Sequence, residues 1–322
     1  MRSVPPSGSK LRANASAAFA AVLFGASVVA VRIAVREVAP MALAFLRFGQ
    51  GTVVLFVALV LGRRTLLRVA WRDLPYLAML GAVFYTIFPV TFNAGMQYIP
   101  ASRGALILAT MPLWTVILAR RAARERLSPR QLFGVLTSIA GVAIVMAERG
   151  GVSYAGSPTG ATTGATTGAT KGDLLLVATA LCGAVYNVLA KPALARYHPV
   201  TVTLYAMLFG SLLLIPAVAA TGGIRLRAMS PETIDMVLFL GILGGAVGFS
   251  LWTSALRELS PTQVAVYINL NPLAATLLAA LVLAERLSGM FVAGFVAVAA
   301  GLVIVNWAPA RPRPFSAEPV RR

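Results

Sequence analysis

The chain has 322 residues, of which 58% are hydrophobic and only 12% are charged. A soluble domain carries about 25% charged residues, so this composition excludes an ordinary soluble enzyme, and its apolar content excludes a disordered chain. The formal net charge of +18 would suggest a nucleic-acid partner in a soluble protein. Here the basic residues stand in short clusters between apolar runs, which is typical of membrane topology, so no nucleic-acid partner is expected.

Ten apolar runs follow one another along the chain, each close to the ~20 residues that a transmembrane helix needs. Core helices of a soluble bundle would carry polar faces, which these runs lack. The sequence therefore predicts an all-α membrane protein with ten transmembrane helices. They lie near residues 14–35, 40–61, 74–94, 100–119, 130–147, 172–192, 199–220, 232–256, 261–283 and 288–308.

Lysine and arginine are divided unequally between the connections. With the N-terminus placed inside, nineteen of the 28 basic residues fall on the inner side and eight on the outer side, while Arg47 lies within a span. Since basic residues are enriched in cytoplasmic loops, both termini are predicted to be cytoplasmic. The expected location is a bacterial inner membrane.

A low-complexity stretch near the middle contains GATTGATTGAT. It has no means of burying a core and is interpreted as an external linker between two halves. The predicted organisation is a cytoplasmic tail (1–13), a first five-helix repeat (14–147), the linker (148–171), a second five-helix repeat (172–308) and a cytoplasmic tail (309–322).

The two halves match without a gap at an offset of 160 residues. Pro112-Leu113 falls on Pro272-Leu273, and Glu125-Arg126-Leu127-Ser128 falls on Glu285-Arg286-Leu287-Ser288. Five spans is an odd number, so the second repeat must enter the membrane upside down. Inverted repeats are typical of secondary transporters, in which the substrate binds near the midplane between the repeats.

The repeated stretches YIPASRGALILATMPLWTVILARRAARERLSPRQLFGVLTSIAGVAIV and ELSPTQVAVYINLNPLAATLLAALVLAERLSGMFVAGFVAVAAGLVIV resemble the drug/metabolite transporter superfamily, specifically its EamA-type group. The resemblance covers the chain apart from the tails and the linker. It implies a transporter of amino acids or other small metabolites. Export is favoured on this resemblance, and import remains the alternative.

Arg47 is the candidate residue for an anionic substrate group. It lies within the second span, where a charge in hydrocarbon costs roughly 2.5–3.5 kcal/mol and therefore needs a cavity or a partner. No acid lies deep in any span to pair with it. The alternative is an arginine that is satisfied by helix carbonyls or that reaches the interface.

Neutral substrate contacts are expected from polar and aromatic side chains within other spans. In the ninth span Gln263, Tyr267 and Asn271 stand at i, i+4 and i+8, which places them on one stripe of an α-helix. The alternative is hydrogen bonding between helices. The candidate neutral ligands are Tyr85, Asn93, Tyr186, Tyr267, Asn269 and Asn271.

Four further residues are candidates for gating or for structure. Pro112 and Pro272 occupy equivalent positions and predict two related kinks. Glu125 and Glu285 end their spans beside an arginine, where interfacial pairing is the alternative to a gate. The closely spaced glycines at 241, 244, 245 and 248 predict close helix contact.

Catalytic chemistry is not expected. The chain has one cysteine, Cys182, and one histidine, His198, so a nucleophile–base pair or a multi-histidine metal site is missing. The sequence therefore predicts a secondary transporter that works by alternating access, without cofactor or metal. Its expected partners are a small-molecule substrate and the lipid bilayer, with a homodimer kept open.

Overall fold

The computed structural model describes residues 7–95, 98, 107–122, 128–149, 165–220, 223, 229–283 and 289–307. All regular elements among these residues are helices. Glu125, Glu285, both chain ends and linker residues 150–164 lie outside the described residues. The last seven residues of the expected linker, 165–171, begin a helix instead.

Among the described residues, the first repeat contains six α-helices and a π-helical segment inside the third span. The π-helical segment, Ala82–Ile87, is called the first π segment. The helices are α1 (Ser7–Ala34), α2 (Pro40–Gly62), α3 (Leu74–Gly81), α4 (Phe88–Gly95), α5 (Met111–Ala122) and α6 (Pro129–Arg149).

The second repeat also has a π-helical segment inside its third span. This second π segment is Leu240–Val247, and a 3₁₀ turn, Val266–Asn269, interrupts the ninth span. The helices are α7 (Ala165–Arg196), α8 (Pro199–Ala220), α9 (Pro231–Phe239), α10 (Gly248–Glu258), α11 (Pro261–Ala265), α12 (Leu270–Leu283) and α13 (Gly289–Trp307).

These elements form ten helical spans in two inverted repeats, as the sequence predicted. Among the described residues, seven helices are long and apolar enough to cross a membrane, and Pro129–Ile144 is a shorter apolar helix. The remaining spans are the segment that contains α5 and the interrupted pair α11 and α12.

Helix starts are fixed by proline and serine. Proline supplies the backbone φ of a first turn and has no N–H to leave unpaired, and it stands in the first turn of α2, α3, α9 and α11. The Ser230 side chain accepts the backbone N–H of Thr233 to cap α9. Ser260 and Gln263 form a capping box at α11, in which each side chain bonds the other's backbone N–H.

The two repeats pack closely, with helices of each repeat lying against helices of the other. The first helix of each repeat contacts the third and fourth spans of the other: α1 packs on α9, α10 and α12, and α7 packs on α4 and α5. The second helices, α2 and α8, pack on each other, as do the fifth helices, α6 and α13. The core therefore belongs to both repeats jointly.

Glycine backbones make the closest crossings between the repeats. A Cβ on Gly51 of α2 would lie 3.2 Å from the carbonyl oxygen of Gly241, and a Cβ on Gly210 of α8 would lie 2.8 Å from that of Gly81. These crossings are equivalent, since Gly51 and Gly210 are 159 residues apart and Gly81 and Gly241 are 160 apart. Each second helix thus crosses the start of the other repeat's π segment. The predicted close contact of the glycine stripe is confirmed at Gly241 and Gly245.

Candidate functional site

Arg47 lies where α2 passes between the aromatic side chains of two repeats. Its guanidinium carbon is 5.5 Å from the ring centroid of Phe48 and 5.6 Å from that of Phe249, both within the range of a cation–π contact. The Arg47 side chain is partly exposed, while its Nε is buried and has no hydrogen-bond partner among the described residues. The guanidinium therefore keeps hydrogen-bonding capacity that the described residues do not use.

The second repeat provides the room for this guanidinium. A Cβ on Gly244 would lie 3.4 Å from Nη2 of Arg47 and 2.5 Å from Oγ of Ser27. Ser27 is buried, and its hydroxyl donates to the carbonyl of Leu23 at 2.7 Å. A side chain at position 244 would collide with this serine, so glycine is what lets α1, α2 and the second π segment meet around the cation.

Phe48 and Phe249 belong to an aromatic cluster that is contributed by five elements. Phe24 is 4.7 Å from Phe249 between ring centroids, and the Phe84 ring stacks on Tyr186 at 4.2 Å. Tyr85 meets the Phe48 ring edge-on at 5.1 Å. The cluster consists of Phe24 from α1, Phe48 from α2, Phe84 and Tyr85 from the first π segment, Tyr186 from α7, and Phe249 and Trp252 from α10.

Polar groups within this cluster are buried and only partly satisfied. Trp252 donates its Nε1–H to Oδ1 of Asn187 at 3.0 Å, and the Tyr186 and Thr253 hydroxyls are 3.4 Å apart. The Tyr85 hydroxyl and Nδ2 of Asn187 are buried and form no hydrogen bond with the described residues. Since unpaired buried polar groups are costly, these two atoms are candidates to meet a bound solute.

The first π segment sets the position of Tyr85. In a π-helix the backbone bonds to i+5, which rotates the following side chains relative to an α-helix, and such segments occur frequently at functional sites. Thr86 of this segment donates to the carbonyl of Gly210 at 2.9 Å. At an offset of 160 the two π segments coincide over residues 82–87 and 242–247, with Gly245 in place of Tyr85. The repeats share a scaffold, and only the first places a phenol there.

The sequence-predicted residues divide into those at the aromatic cluster and those bonded elsewhere. Tyr85 and Tyr186 belong to the aromatic cluster, and Arg47 lies beside it. Asn93 donates to the carbonyl of Pro40 at 3.2 Å, seven residues or roughly 10 Å along α2 from Arg47. Tyr267 donates to Oδ1 of Asn14 at 3.0 Å, ten residues or about 15 Å along α1 from Phe24.

Asn269 and Asn271 differ in their burial and in their hydrogen bonds. Asn269 is fully buried and donates to Oγ of Ser138 in α6 at 2.9 Å. Asn271 is partly buried, and its Oδ1 has no hydrogen-bond partner among the described residues. Oδ1 of Asn269 is likewise buried without a hydrogen-bond partner among the described residues, so the two residues differ in the bond of Asn269 to Ser138.

The predicted stripe of Gln263, Tyr267 and Asn271 on one α-helical face is wrong. The Gln263 side chain is used in the capping box with Ser260. The 3₁₀ turn Val266–Asn269 separates α11 from α12, and a 3₁₀ turn has three residues per turn instead of 3.6. The i, i+4, i+8 spacing therefore does not place these side chains on a single line.

Pro112 and Pro272, which occupy equivalent positions of the two repeats, each follow an interruption of regular helix. In the first repeat the chain turns at Ala109 and Thr110, immediately before α5 begins. In the second, the 3₁₀ turn ends at Asn269, the equivalent of Ala109. Pro112 and Pro272 thus stand just after equivalent breaks, because proline cannot donate the backbone bond that would continue the helix.

The sequence analysis did not identify the phenylalanines of the cluster, Ser27 or Asn187 as site residues. It also did not predict that Gly244 lies against Ser27 and Arg47. Aromatic residues are frequent throughout the chain, so their number gave no signal. The repeat alignment offers one signal, since Arg47 and Tyr85 fall on Ala206 and Gly245 of the second repeat at offsets of 159 and 160. No group of three or more His, Cys, Asp or Glu side chains that could hold a metal occurs among the residues searched, which are those that the structure describes.

Two inverted five-helix repeats around a cationic and aromatic site define a membrane transporter. The family model described as "EamA-like transporter family" matches residues 11–147 and again residues 170–307. The chain belongs to the EamA-like transporter family. This family and its named relatives are transporters or efflux pumps and not enzymes.

Several curated proteins are similar over most of their length. An "Uncharacterized transporter" of Archaeoglobus fulgidus is 27% identical, over 89% of this chain and 96% of the relative. A "Probable terminal-alkyne amino-acid exporter" of Streptantibioticus cattleyicolor is 29% identical, over 73% of this chain and 74% of the relative. A "Probable amino-acid metabolite efflux pump" of Escherichia coli is 26% identical, over 88% and 91%.

A solved crystal structure has the same fold. It superposes with a TM-score of 0.74 at 20% sequence identity, covering 91% of this chain and 95% of that chain. At this identity the likeness shows the fold alone.

Proposed function

We propose that the protein is a secondary transporter that moves a small polar metabolite with an anionic group, an amino acid or a related compound, by alternating access. Export is the favoured direction. The observation that carries the proposal is Arg47, whose Nε is buried beside two aromatic rings without a hydrogen-bond partner among the described residues.

The chemistry of the site supports an anionic substrate group. A guanidinium binds a carboxylate through two parallel charge-assisted hydrogen bonds, which are about twice as strong as neutral ones. Phe48 and Phe249 stabilise the cation by its position over their rings. Without substrate, the two rings stabilise the positive charge of Arg47. When substrate binds, its carboxylate accepts the hydrogen bonds that the guanidinium can donate.

The neutral part of the substrate would be met by Tyr85 and Asn187. Their buried, unused Oη and Nδ2 atoms can replace water around a polar solute. Asn271, with its unused Oδ1, is proposed to contact the solute along the path through the second repeat. Asn93, Tyr267 and Asn269 bond to other helices, so their proposed role is to hold the shape of that path.

The direction is supported by relatives whose names describe export. These are the amino-acid exporter of Streptantibioticus cattleyicolor and the amino-acid metabolite efflux pump of Escherichia coli. Import of the same class of solute is the alternative that the same site would serve. The proposed setting is the bacterial inner membrane, with both termini cytoplasmic.

The experiment is counterflow of radiolabelled amino acids in proteoliposomes with the wild type and two variants. Arg47→Ala is expected to lower flux by roughly 10- to 100-fold or more, since a charge-assisted contact is worth about 1.5–3 kcal/mol and its loss leaves the substrate charge without a partner. Arg36→Ala removes an exposed charge from the α1–α2 connection and is expected to leave flux unchanged. Equal flux in Arg47→Ala and wild type would contradict the proposal.

A further inference from the structure

A groove opens at one end of the fold between α5 and α6. It encloses about 670 Å³, and its lining includes Val116, Ile117, Arg120, Arg121 and Leu132. This groove lies at the helix ends that the charge distribution predicts to be cytoplasmic, and Arg47 does not line it. The transport site described above does not use it.

The groove has an apolar part and a cationic part in a fixed order. Val116 and Ile117 precede Arg120 and Arg121 by four residues, which places the apolar pair about 6 Å deeper along α5. Ile117 and Leu132 are 47% and 42% exposed, and both arginines are exposed. An occupant with a charged end and an apolar body would match this order, whereas a free inorganic anion would use only the arginines.

Comparison of the repeats shows that the fold does not need these cations. Arg120 and Arg121 fall on Ala280 and Leu281 of the second repeat, and Arg130 falls on Met290. The equivalent helices α12 and α13 are therefore built with apolar residues at the same positions. Ser128 and Gln131 already cap the start of α6, because the Gln131 backbone N–H donates to Oγ of Ser128 and Oε1 of Gln131 accepts the Ser128 N–H. The two arginines therefore distinguish this groove from the equivalent place in the second repeat, and they are not needed to cap α6.

We propose that this groove binds the phosphate headgroup of an anionic membrane phospholipid, with Arg120 and Arg121 on the phosphate and the acyl chains along Val116, Ile117 and Leu132. Basic pockets between transmembrane helices are suited to such headgroups. Guanidinium groups match a phosphate with bidentate hydrogen bonds. The occupant is a lipid because the apolar lining continues directly from the cations toward the hydrocarbon.

The test uses the full chain purified in a neutral detergent. Cardiolipin, phosphatidylglycerol, phosphatidylcholine and inorganic phosphate are titrated separately, and binding is followed by native mass spectrometry and by thermal unfolding. Cardiolipin and phosphatidylglycerol are expected to bind and to raise the unfolding temperature, while phosphatidylcholine and inorganic phosphate are not. The same temperature rise with inorganic phosphate would overturn the lipid assignment.

The variant is Arg120→Gln/Arg121→Gln, and its matched control is Arg63→Gln/Arg64→Gln. Arg63 and Arg64 are exposed and follow the end of α2, on the side predicted to be cytoplasmic. The first variant is expected to bind cardiolipin roughly 30-fold more weakly, and the control is expected to bind it as the wild type does. An equal loss in both would show a general effect of charge and overturn the site.

Single variants keep the test open if the double variant is unstable. Arg120→Gln and Arg121→Gln are each expected to lower the affinity by a few-fold. Unchanged cardiolipin affinity in both single variants would also overturn the proposal.

Discussion

The carbonyl oxygen of Gly81 lies 2.8 Å from the point where a Cβ on Gly210 would stand. Two helices from different repeats therefore touch through bare backbone. Their inverted counterparts, Gly51 and Gly241, make the equivalent contact. The interface that carries the site is fixed by these two crossings.

Gly210→Ala is expected to lower the free energy of unfolding by about 1–3 kcal/mol, because the added methyl overpacks a backbone contact. Gly49→Ala is the matched control, since nothing lies within 4 Å of a Cβ at that position. That control is expected to be neutral or to gain up to about 1 kcal/mol. Thermal unfolding in detergent measures both, and equal stability of the two variants would refute the crossing.

Asn269→Leu and Asn271→Leu are expected to fail in different ways. The first removes the bond to the fully buried Ser138 hydroxyl and should cost about 1–3 kcal/mol of stability. The second removes an acceptor with no described partner and should keep stability while flux falls. Unfolding and transport assays on the same preparations separate the two effects. Wild-type flux in Asn271→Leu would remove that residue from the solute path.

Glu37 should make stability depend on pH. Its Oε2 accepts the backbone N–H of Ser230 at 2.7 Å, and this bond, with those to Thr233 and the Ser230 side chain, lowers the pKa of the carboxyl from its ordinary value of 4.5. A carboxyl with a lowered pKa stabilises the fold fully above that ordinary value and loses its contribution as the pH falls through the lowered pKa.

Glu37→Gln is therefore expected to flatten the acid limb of the stability profile as the pH falls below the ordinary carboxyl pKa of 4.5. Its control is Glu258→Gln, which changes an exposed carboxylate at the end of α10. Unfolding by denaturant across this pH range measures the difference. A wild-type acid limb in Glu37→Gln would rule out the bond to Ser230 as its cause.

Much of the fold could be predicted because its signals are local. Hydropathy locates the spans, and prolines such as Pro40 and Pro199 mark their starts. The 160-residue offset reveals the repeat, and the odd number of spans in each copy requires inversion. Arg47 stands out because a charge within an apolar run needs a physical reason.

The π segments could not be read from the sequence. A π-helix differs from an α-helix by one backbone bond, and the apolar pattern around Tyr85 accommodates either. Its position depends on contacts between the repeats, such as the bond from Thr86 to the carbonyl of Gly210. The 3₁₀ turn before Asn271 could not be predicted either, and the predicted stripe was wrong because it required an unbroken α-helix. The aromatic cluster beside Arg47 comes from five elements, and only packing brings its rings together.

The most direct measurement of the central claim, two repeats of opposite orientation, uses cysteine labelling in intact cells. Cys182 is the single cysteine of the chain, so Cys182→Ser gives a cysteine-free background. A cysteine is then introduced at Glu125 or at the equivalent Glu285. A membrane-impermeant maleimide is expected to label position 285 from outside and position 125 only after permeabilisation. Labelling of both positions from the same side of the membrane would contradict the account.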